Sequence, residues 1–503
     1  MIYKTIDNYM IRFEKIMIVS LLAGSLTSCK KWLNVTPQDK VPQVTLFTNE
    51  QGFKDALTGV YLNMDKSTSG GSNGIYTNDL SMGILSVMAY NYDNASNSAA
   101  GGSALYNAAY LYNYNDPLLK PEIGYIWSAL YNNIANVNNI LAQIDAAKGV
   151  FTADNYQRIK GEALGLRALF HFDAVRLFGQ PPLTAGTTPA IPYVKSFTIR
   201  QTPLYTVGAV LDSCLADLAA ARSLLSLTDT SAVLGATTDP FTSYTQNHLN
   251  YWAVGGLTAR VYLYAGNTDS ASYYAKAVIG SNKFPLITSN VAASTNVVRD
   301  HTYSQEHLFA LYSQNIGAYS LSIFELQSPA TPLVLNVSAT GKNNPYIVPV
   351  SDNTDWRLKS WFDPIPGSTN VNTVVPSKFY QEANLPYNLQ GLMPVIRVSE
   401  MYYIAAECAG TNGDVPTGVN FINPVRLARG LTALNSAGIS TTDSLFHLIR
   451  NEYRKEFSQE GQTFFYYKRL NLNLNTYAGT PTILPPAVFV FPLPDAEKQY
   501  RGL

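Results

Sequence analysis

Apolar residues recur at helical spacing over long stretches of this chain. From Ile126 to Ile144 they follow one another at intervals of three or four residues, with asparagines on the other face. A second stretch of this kind runs from Ile159 to Leu177 and is ended by Gly179 and two prolines. Such spacing is typical of amphipathic helices. The same pattern predicts further helices at about 47–64, 205–225, 249–265, 271–280, 397–410, 418–430 and 443–458.

Several predicted helices follow each other after short turns, as in helical-hairpin repeats. The segment from Tyr262 to Ala271, with Gly266 and Asn267 between them, is similar to a tetratricopeptide turn, where small residues let two helices cross closely. The other helix pairs match that pattern poorly. The predicted scaffold occupies residues of about 47–64, 121–285 and 393–470.

Two long segments between the helical blocks have a different composition. Residues 65–120 and 286–392 are rich in Gly, Ser, Asn, Pro and Tyr, with short strand-like runs such as 308–311 and 346–350. Insertions of this length in a compact protein are usually functional. We therefore predict a mainly α fold, a tetratricopeptide-like helical-hairpin scaffold that carries large, irregular, loop-rich insertions.

The N-terminus has the order of features found in a secretory signal peptide. Arg12 and Lys15 precede an apolar run of 11 residues, 16 to 26, and small residues then lead to Cys29. A membrane-spanning helix needs about 20 apolar residues, so this run is too short to be one. A cleavage site that ends in Cys is typical of a bacterial lipoprotein. We predict that residues 1–28 are removed, that Cys29 is lipidated, and that residues 29–503 form one domain.

Composition and charge narrow the class of ligand. Lys and Arg total 35, Asp and Glu total 35, and only 14% of residues are charged. With no net positive charge, the chain is a poor candidate for nucleic-acid binding. Its 34 tyrosines and many asparagines make a surface that is polar through hydroxyls and amides. Such a surface suits a neutral, hydroxyl-rich ligand.

The sequence indicates no metal or cofactor site. It has no CxxC motif, and its five histidines form no HExxH motif and no ligand pair four residues apart. The sequence indicates no phosphate-binding glycine loop and no GxSxG nucleophile elbow, which requires a sharp turn from a strand into a helix. Cys214 and Cys408 lie in apolar helical patterns and are most simply small core residues, although a disulfide between them stays open.

Several segments of the chain form a recognisable set, 29–37, 47–61, 161–168, 177–183, 396–407, 449–461, 467–470 and 491–494. Together they resemble the SusD/RagB family of outer-membrane nutrient-binding lipoproteins. They span nearly the whole chain after Cys29 and occur in the order expected for the family. Small departures are Asn34, where Asp is usual, and Gly165, where a bulky residue is more common.

The resemblance implies a binding function at the cell surface. Members of this family have four tetratricopeptide-like units packed against an irregular ligand-binding half. They are lipid-anchored at the outer membrane and cover a SusC-like TonB-dependent transporter, to which they deliver oligosaccharides or, in some cases, peptides. For this chain the resemblance implies a glycan-binding lipoprotein that is not an enzyme and that works without a cofactor.

Carboxylates in the matching segments are the main argument for an enzyme instead. They lie on predicted helices with basic residues nearby, as Glu162 does with Lys160 and Arg167, so we interpret them as structural ion pairs between packed helices. These carboxylates are Glu162, Glu400, Glu407, Glu452 and Glu456. A glycosidase needs two carboxylates that face each other across a cleft, which sequence alone does not reveal. A surface glycan hydrolase, a peptide-binding lipoprotein and a purely docking lipoprotein of the same transporter system stay as alternatives.

Candidate ligand contacts come from tyrosine and asparagine clusters in the two insertions. Flat aromatic rings stack on the apolar faces of sugars, and amides bond their hydroxyls in fixed directions. We expect these rings to face solvent, although tyrosines at this density also serve as packing residues. The predicted ligand-binding residues are Tyr90, Asn91, Tyr92, Asn94, Tyr112, Tyr114, Tyr312 and Tyr319.

Overall fold

The long helices of the structure, a computed structural model, lie where the apolar spacing predicts them. Helix α5 (Leu119–Ile144) buries the predicted face, and α6 (Asn155–Phe178) is buried on nearly all sides. Cys29 and the predicted signal peptide lie outside the described residues. The structure describes residues 43–66, 74–92, 104–232, 234–288, 298–324, 335, 337–338, 354–364, 373–475, 481–482 and 486–503.

The chain divides into two compact units, residues 1–48 and 49–503. In the first unit, the described part contains one short helix, α1 (Gln43–Leu46). The second unit contains the helices α2 (Glu50–Met64), α3 (Ile84–Met88), α4 (Ala104–Tyr110), α5, α6, α7 (Val207–Leu225), α8 (Tyr251–Tyr264), α9 (Thr268–Gly280), α10 (Ile316–Phe324), α11 (Trp356–Ser360), α12 (Val398–Thr411), α13 (Val415–Ala428), α14 (Thr442–Glu456), α15 (Gln462–Leu470) and α16 (Asp495–Arg501).

The strands are short and form small antiparallel sheets, so the predicted mainly α fold is confirmed. They pair as β1 with β2, β3 with β7, β6 with both β4 and β5, and β8 with β9. Their bounds are β1 (Pro189–Pro192), β2 (Leu204–Thr206), β3 (His307–Tyr312), β4 (Val337–Ser338), β5 (Phe362–Pro364), β6 (Thr373–Pro376), β7 (Leu392–Arg397), β8 (Leu474–Asn475) and β9 (Pro481–Thr482).

Helices that are neighbours in the chain pack as hairpins, and the two helical blocks form one scaffold. Helices α5, α6 and α7 pack in succession, α8 packs on α9, and α12 packs on α13. The predicted turn between α8 and α9 is present: Gly266 has a positive φ of 80°, and the Asn267 side chain caps α9 by accepting a bond from the Ser270 N–H. Helix α9 also packs against α12, so the second block continues the first.

Gly165, the unusual residue of α6, lets the chain before α8 approach α6 closely. A β-carbon at this position would lie 2.6 Å from Cδ2 of Leu249 and 3.2 Å from Cγ2 of Val254. Both neighbours are fully buried. A larger residue at this position would therefore push Leu249 and the start of α8 away from α6.

The first insertion is more helical than predicted. Its described residues form a π-helix (Ile75–Met82), α3 and α4. All eight residues of the π-helix are buried, including Asn78 and Asp79. Packing against the scaffold therefore overrides the low helix propensity of a segment rich in Gly, Ser and Asn.

A buried network of ion pairs joins the second insertion to the C-terminal helices. Glu456 is its centre, because Arg357, Arg397 and Arg429 all bond its carboxylate. Arg429 also makes a two-pronged pair with Glu306 at 2.7 Å. Burial alone would raise the pKa of Glu456, but Arg429 and Arg397 outweigh it and hold that pKa well below its ordinary value.

The expected ion pairs with other parts of the fold are present for four of the five carboxylates, Glu400, Glu407, Glu452 and Glu456. Glu162 is the exception, because neither basic residue near it in the sequence is its partner. Lys160 pairs with Asp145 and Arg167 with Asp217, whereas Glu162 has neither. Residues two and five apart on a helix do not face each other, so neighbours in sequence are poor candidates for partners. Distant helices supply them instead, as in the pairs Arg260–Glu400, Arg469–Glu407 and Arg426–Glu452.

Candidate functional site

A pocket of about 590 Å³ lies between α2, the loop before α8, and the strand pair β3–β7. Four separate segments of the chain form its three walls, because the third wall combines the end of β3 with residues 387–392. Its lining residues are Gln51, Lys54, Thr58, Tyr61, Leu62, Asp239, Pro240, Phe241, Ser243, Tyr244, Asn247, His248, Leu311, Tyr312, Tyr387, Asn388, Gln390 and Leu392.

Helix α2 forms the first wall. Gln51, Lys54, Thr58 and Tyr61 are spaced by three, four and three residues, which places them on one face of the helix. The apolar face, which includes Phe53, is buried in the core. The Asn49 side chain accepts a bond from the Gly52 N–H and so fixes where α2 begins.

Lys54 contributes a positive charge to this wall, and that charge is paired with the carboxylate of Glu50. Its Nζ lies 2.8 Å from Oε1 of Glu50 and 4.8 Å from the centre of the Phe241 ring. Burial alone would raise the pKa of Glu50, but hydrogen bonds from Lys54 and Thr152 outweigh it and lower that pKa. The pair therefore adds little net charge to the pocket.

The loop before α8 forms the second wall and presents Phe241 and Tyr244. Asp239 accepts a bond from the Phe241 N–H and so caps a short 3₁₀ helix, Pro240–Thr242. Tyr244 has a left-handed backbone with φ 52°. The loop is tied to the strand pair because Gln246 donates to the carbonyl of His307 at 3.0 Å.

Tyr312 and Tyr387 are the aromatic residues of the third wall. Tyr312 ends β3, where it is paired with Leu392 of β7. Burial raises the pKa of the Tyr312 hydroxyl, and a hydrogen bond with the Tyr387 side chain raises it further. Tyr387 begins a 3₁₀ helix, Tyr387–Leu389, and 70% of its surface is exposed. The two rings lie at the open side of the pocket.

Four amide side chains line the pocket, and hydrogen bonds to protein groups hold three of them in place. Asn388 donates to the carbonyl of Leu234 at 2.9 Å, and Gln390 donates to that of Leu385 at 2.7 Å. The Gln51 amide donates to Asp55 at 2.7 Å. The side-chain oxygen of Asn247 is buried and has no hydrogen-bond partner. Amide groups that are held in place in this way can bond ligand hydroxyls without being reoriented.

A histidine and a carboxylate lie at the floor. Oε2 of Glu162 accepts a bond from the Tyr61 hydroxyl at 2.6 Å and lies 3.0 Å from Nδ1 of His248. The Tyr61 hydroxyl in turn accepts a bond from the Leu249 N–H at 2.9 Å. The Glu162 side chain is 2% exposed and that of His248 is 19% exposed. Tyr61 and His248 line the pocket, and Glu162 lies beneath them.

Of the predicted ligand-binding residues, Tyr312 lies in this pocket. Tyr319 lies on α10 and is 8% exposed, with burial and then Asp65 raising its hydroxyl pKa. Asn94 lies outside the described residues. The remaining predicted residues, Tyr90, Asn91, Tyr92, Tyr112 and Tyr114, do not line the pocket.

The expectation that Tyr90 and Tyr92 face solvent is wrong. They are 4% and 1% exposed, and the Tyr92 hydroxyl donates to the carbonyl of Met82 at 2.7 Å. Tyr112 is also buried and bonds the carbonyl of Met88. Tyr114 bonds the carbonyl of Val488. These rings pack against protein because large aromatic side chains gain free energy when their area is removed from water. Their contact with a ligand stays a prediction.

Sequence reasoning missed most of the pocket. Phe241 and Tyr244 lie in a segment assigned to the scaffold, and the lining face of α2 was assigned there too. One signal was present in the sequence: residues 226–250 separate two helices and are rich in Thr, Ser, Asp and Asn. A long polar loop on a rigid scaffold often carries function.

In the described part of the chain, no group of three or more His, Cys, Asp or Glu side chains is arranged so that it could hold a metal ion. Cys214 and Cys408 are buried and free. Of the helices in the described ranges, none is long and apolar enough to cross a membrane.

Comparison of the chain with known protein families and with a curated relative finds SusD-like proteins each time. Residues 31–263 match a SusD-like family described as "Starch-binding associating with outer membrane", and residues 341–484 match the SusD family. A SusD-like protein of Formosa agariphila is 22% identical over 510 residues, which cover 92% of each chain.

Solved structures with similar folds include two from Bacteroides. A SusD superfamily protein of Bacteroides thetaiotaomicron has a TM-score of 0.68 at 19% identity, over 90% of this chain and 98% of that one. A SusD-like carbohydrate binding protein of Bacteroides vulgatus has a TM-score of 0.67 at 17% identity, over 90% and 96%. At these identities the likeness concerns the fold.

Proposed function

Because the chain belongs to the SusD/RagB family, we propose that it is a cell-surface lipoprotein that binds an oligosaccharide. The bound glycan is passed to a SusC-like TonB-dependent transporter in the outer membrane. Cys29 carries the lipid that holds the protein at the membrane. This proposal rests on the family match for the general role and on the pocket for the ligand.

The observation that carries the choice of ligand is the combination of aromatic rings and fixed amides in one pocket. Phe241, Tyr244, Tyr312 and Tyr387 supply flat rings, which stack on the apolar faces of sugar rings. The amide side chains supply donors and acceptors for sugar hydroxyls. A concave surface of about 590 Å³ has the size of a small-molecule site. The lysine of the pocket is already paired with Glu50, which favours a neutral glycan over an acidic one.

The positions and contacts of the carboxylates at the pocket favour ligand binding over hydrolysis. Glycoside hydrolysis uses two carboxyl groups on either side of the scissile bond. Asp239 is occupied as a helix cap, and Glu162 lies beneath Tyr61 and His248 with 2% of its side chain exposed. Asp239 is the one carboxylate among the described residues that line the pocket, so the lining does not supply the pair of carboxyl groups that hydrolysis uses. We therefore propose that the protein is not an enzyme.

Capture for transport also requires release, so we expect weak binding. Stacking on a few tyrosines in an open pocket gives dissociation constants on the order of micromolar to millimolar. We propose Tyr312 as a ligand contact. Ligand contact by residues that are buried or half-buried is proposed only for a state in which they become accessible; these are Tyr90, Asn91, Tyr92, Tyr112, Tyr114 and Tyr319. Ligand contact by Asn94, outside the described residues, stays a proposal.

A glycan array probed with the protein lacking residues 1–28 tests this proposal. We expect binding of a neutral oligosaccharide and no release of shorter products. Hydrolysis that is lost when one carboxylate is replaced would favour the hydrolase. Binding of peptides alone, or co-purification with a large transporter while no soluble ligand binds, would favour the peptide-binding or the docking alternative.

A further inference from the structure

Glu162 differs from the other buried carboxylates of the scaffold in its partners. Glu400, Glu407 and Glu456 each pair with an arginine. Glu162 instead contacts a tyrosine hydroxyl and an imidazole, both of which line the pocket. Glu162 therefore holds side chains of the pocket floor in place, in addition to joining two helices.

The proton of the Tyr61 hydroxyl is held in place by its surroundings. Burial raises the pKa of Tyr61 well above its ordinary value, and the nearby carboxylate of Glu162 raises it further. Tyr61 therefore donates to Oε2 of Glu162 at 2.6 Å at any physiological pH. Because Oε2 is an acceptor here, Nδ1 of His248 must donate to it as well.

This arrangement fixes which nitrogen of His248 faces the ligand. A neutral imidazole with its proton on Nδ1 has a free lone pair on Nε2. No group in the described part of the chain bonds Nε2, and His248 lines the pocket. Its surroundings are Glu162 from α6, Tyr61 from α2 and the Phe241 ring, with Lys54 and Asp239 as the other charged groups of the lining.

We infer that His248 is a specificity-determining contact of the pocket and that Glu162 is its positioning residue. Nε2 of His248 accepts a hydrogen bond from a hydroxyl of a neutral oligosaccharide, and Glu162 selects the tautomer that makes this possible. The inference rests on the proposed function of the pocket.

The first arm of the test needs no ligand. Long-range ¹H–¹⁵N spectra of protein labelled at histidine report which ring nitrogen carries the proton, and His248→Gln assigns the signal by removing it. We expect a bare Nε2 on His248 at pH 7.5, and a mixture of tautomers in Glu162→Gln. A proton on Nε2 in the neutral ring, or an unchanged tautomer in Glu162→Gln, would overturn the role of Glu162.

The second arm measures the affinity for the neutral oligosaccharide selected on the array, at pH 7.5. Loss of one hydrogen bond in His248→Leu should weaken binding roughly tenfold. His248→Gln, which keeps an acceptor, should recover part of the affinity. His447→Leu is the matched control, since His447 is exposed on α14 and does not line the pocket.

The outcomes separate this inference from the proposed function. Equal affinity of His248→Leu and the wild type would show that His248 does not contact the ligand. If the wild type binds no oligosaccharide, the proposed function fails and the ligand contact fails with it. The tautomer measurement still decides the role of Glu162 in that case.

Discussion

The ring of Tyr312 packs directly over Gly391. A β-carbon on Gly391 would lie 2.9 Å from Cε2 of Tyr312 and 2.7 Å from the carbonyl oxygen of Ser313. Gly391 also has a positive φ of 69° and bonds Ser313 through its own carbonyl at 2.7 Å. This glycine therefore sets the position of the one predicted ligand-binding ring that lies in the pocket.

Gly391→Ala should displace Tyr312 and weaken glycan binding. The added methyl group clashes with the ring, and the left-handed backbone is strained for alanine, so we also expect a loss of about 1–3 kcal/mol in the free energy of unfolding. Calorimetric titration and urea unfolding measure the two effects. Gly413→Ala is the control, because Gly413 has a φ of 77° but no atom within 4 Å of an added β-carbon. Equal binding by both variants would refute the role of Gly391.

Glu456→Gln should destabilise the fold strongly. The substitution leaves Arg357, Arg397 and Arg429 buried with one negative partner fewer. Breaking a buried ion pair from one side costs about 3–5 kcal/mol. Urea unfolding checks this value, and Asp495→Asn on exposed α16 should leave the melting temperature unchanged. A Glu456→Gln protein as stable as the wild type would mean that the network contributes little.

His171 should make the fold sensitive to acid. Burial lowers its pKa to about 3, whereas an unfolded imidazole titrates near 6.5. Since the unfolded chain binds the proton first as pH falls, the stability from this residue is complete above about pH 6.5 and is lost progressively toward pH 3. Protonation would also break the bond that Nε2 accepts from the Val194 N–H at 2.9 Å.

The melting temperature of His171→Gln should therefore fall less steeply between pH 6.5 and 4.5 than that of the wild type. Burial also lowers the pKa of His307, but this residue contributes equally to both proteins. The difference between the two slopes isolates His171. Parallel slopes would show that His171 is not kept neutral by the fold.

Cys29→Ser should release the protein from membranes. A lipid-modified N-terminus with two or more chains holds far more tightly than one chain, and the variant has no site for the lipid. Membrane fractionation without detergent measures the effect, with Cys408→Ser as a control because that cysteine is buried. Unchanged membrane retention of Cys29→Ser would contradict lipidation.

The helical scaffold was predictable because its signal is local. Apolar spacing located α5, α6 and the helices of the second block, and Gly266 with Asn267 marked the turn between α8 and α9. Helix pairs of this kind are neighbours in the sequence, so a stretch of about 40 residues contains most of the information needed to predict each pair.

The pocket was not predictable in the same way, because its walls meet only in three dimensions. Four tyrosines of the pocket are far apart in the sequence. Consecutive members of the set are separated by 68 to 183 residues, the set being Tyr61, Tyr244, Tyr312 and Tyr387. Hydrophobic periodicity also does not predict which tyrosines are buried in segments without regular secondary structure. Tyr92 and Tyr312 look alike in the sequence, yet the first is 1% exposed and the second lines the pocket.

The measurement that tests the central claim most directly is a calorimetric titration of the array-selected neutral oligosaccharide into three proteins. These are the wild type, the double variant Tyr312→Ala/Tyr387→Ala, and Tyr273→Ala, whose ring is 67% exposed on α9 and lies outside the pocket. Loss of two stacking rings should weaken binding by about 1–3 kcal/mol in the double variant, while Tyr273→Ala binds like the wild type. Wild-type affinity in the double variant would show that this pocket is not the glycan site.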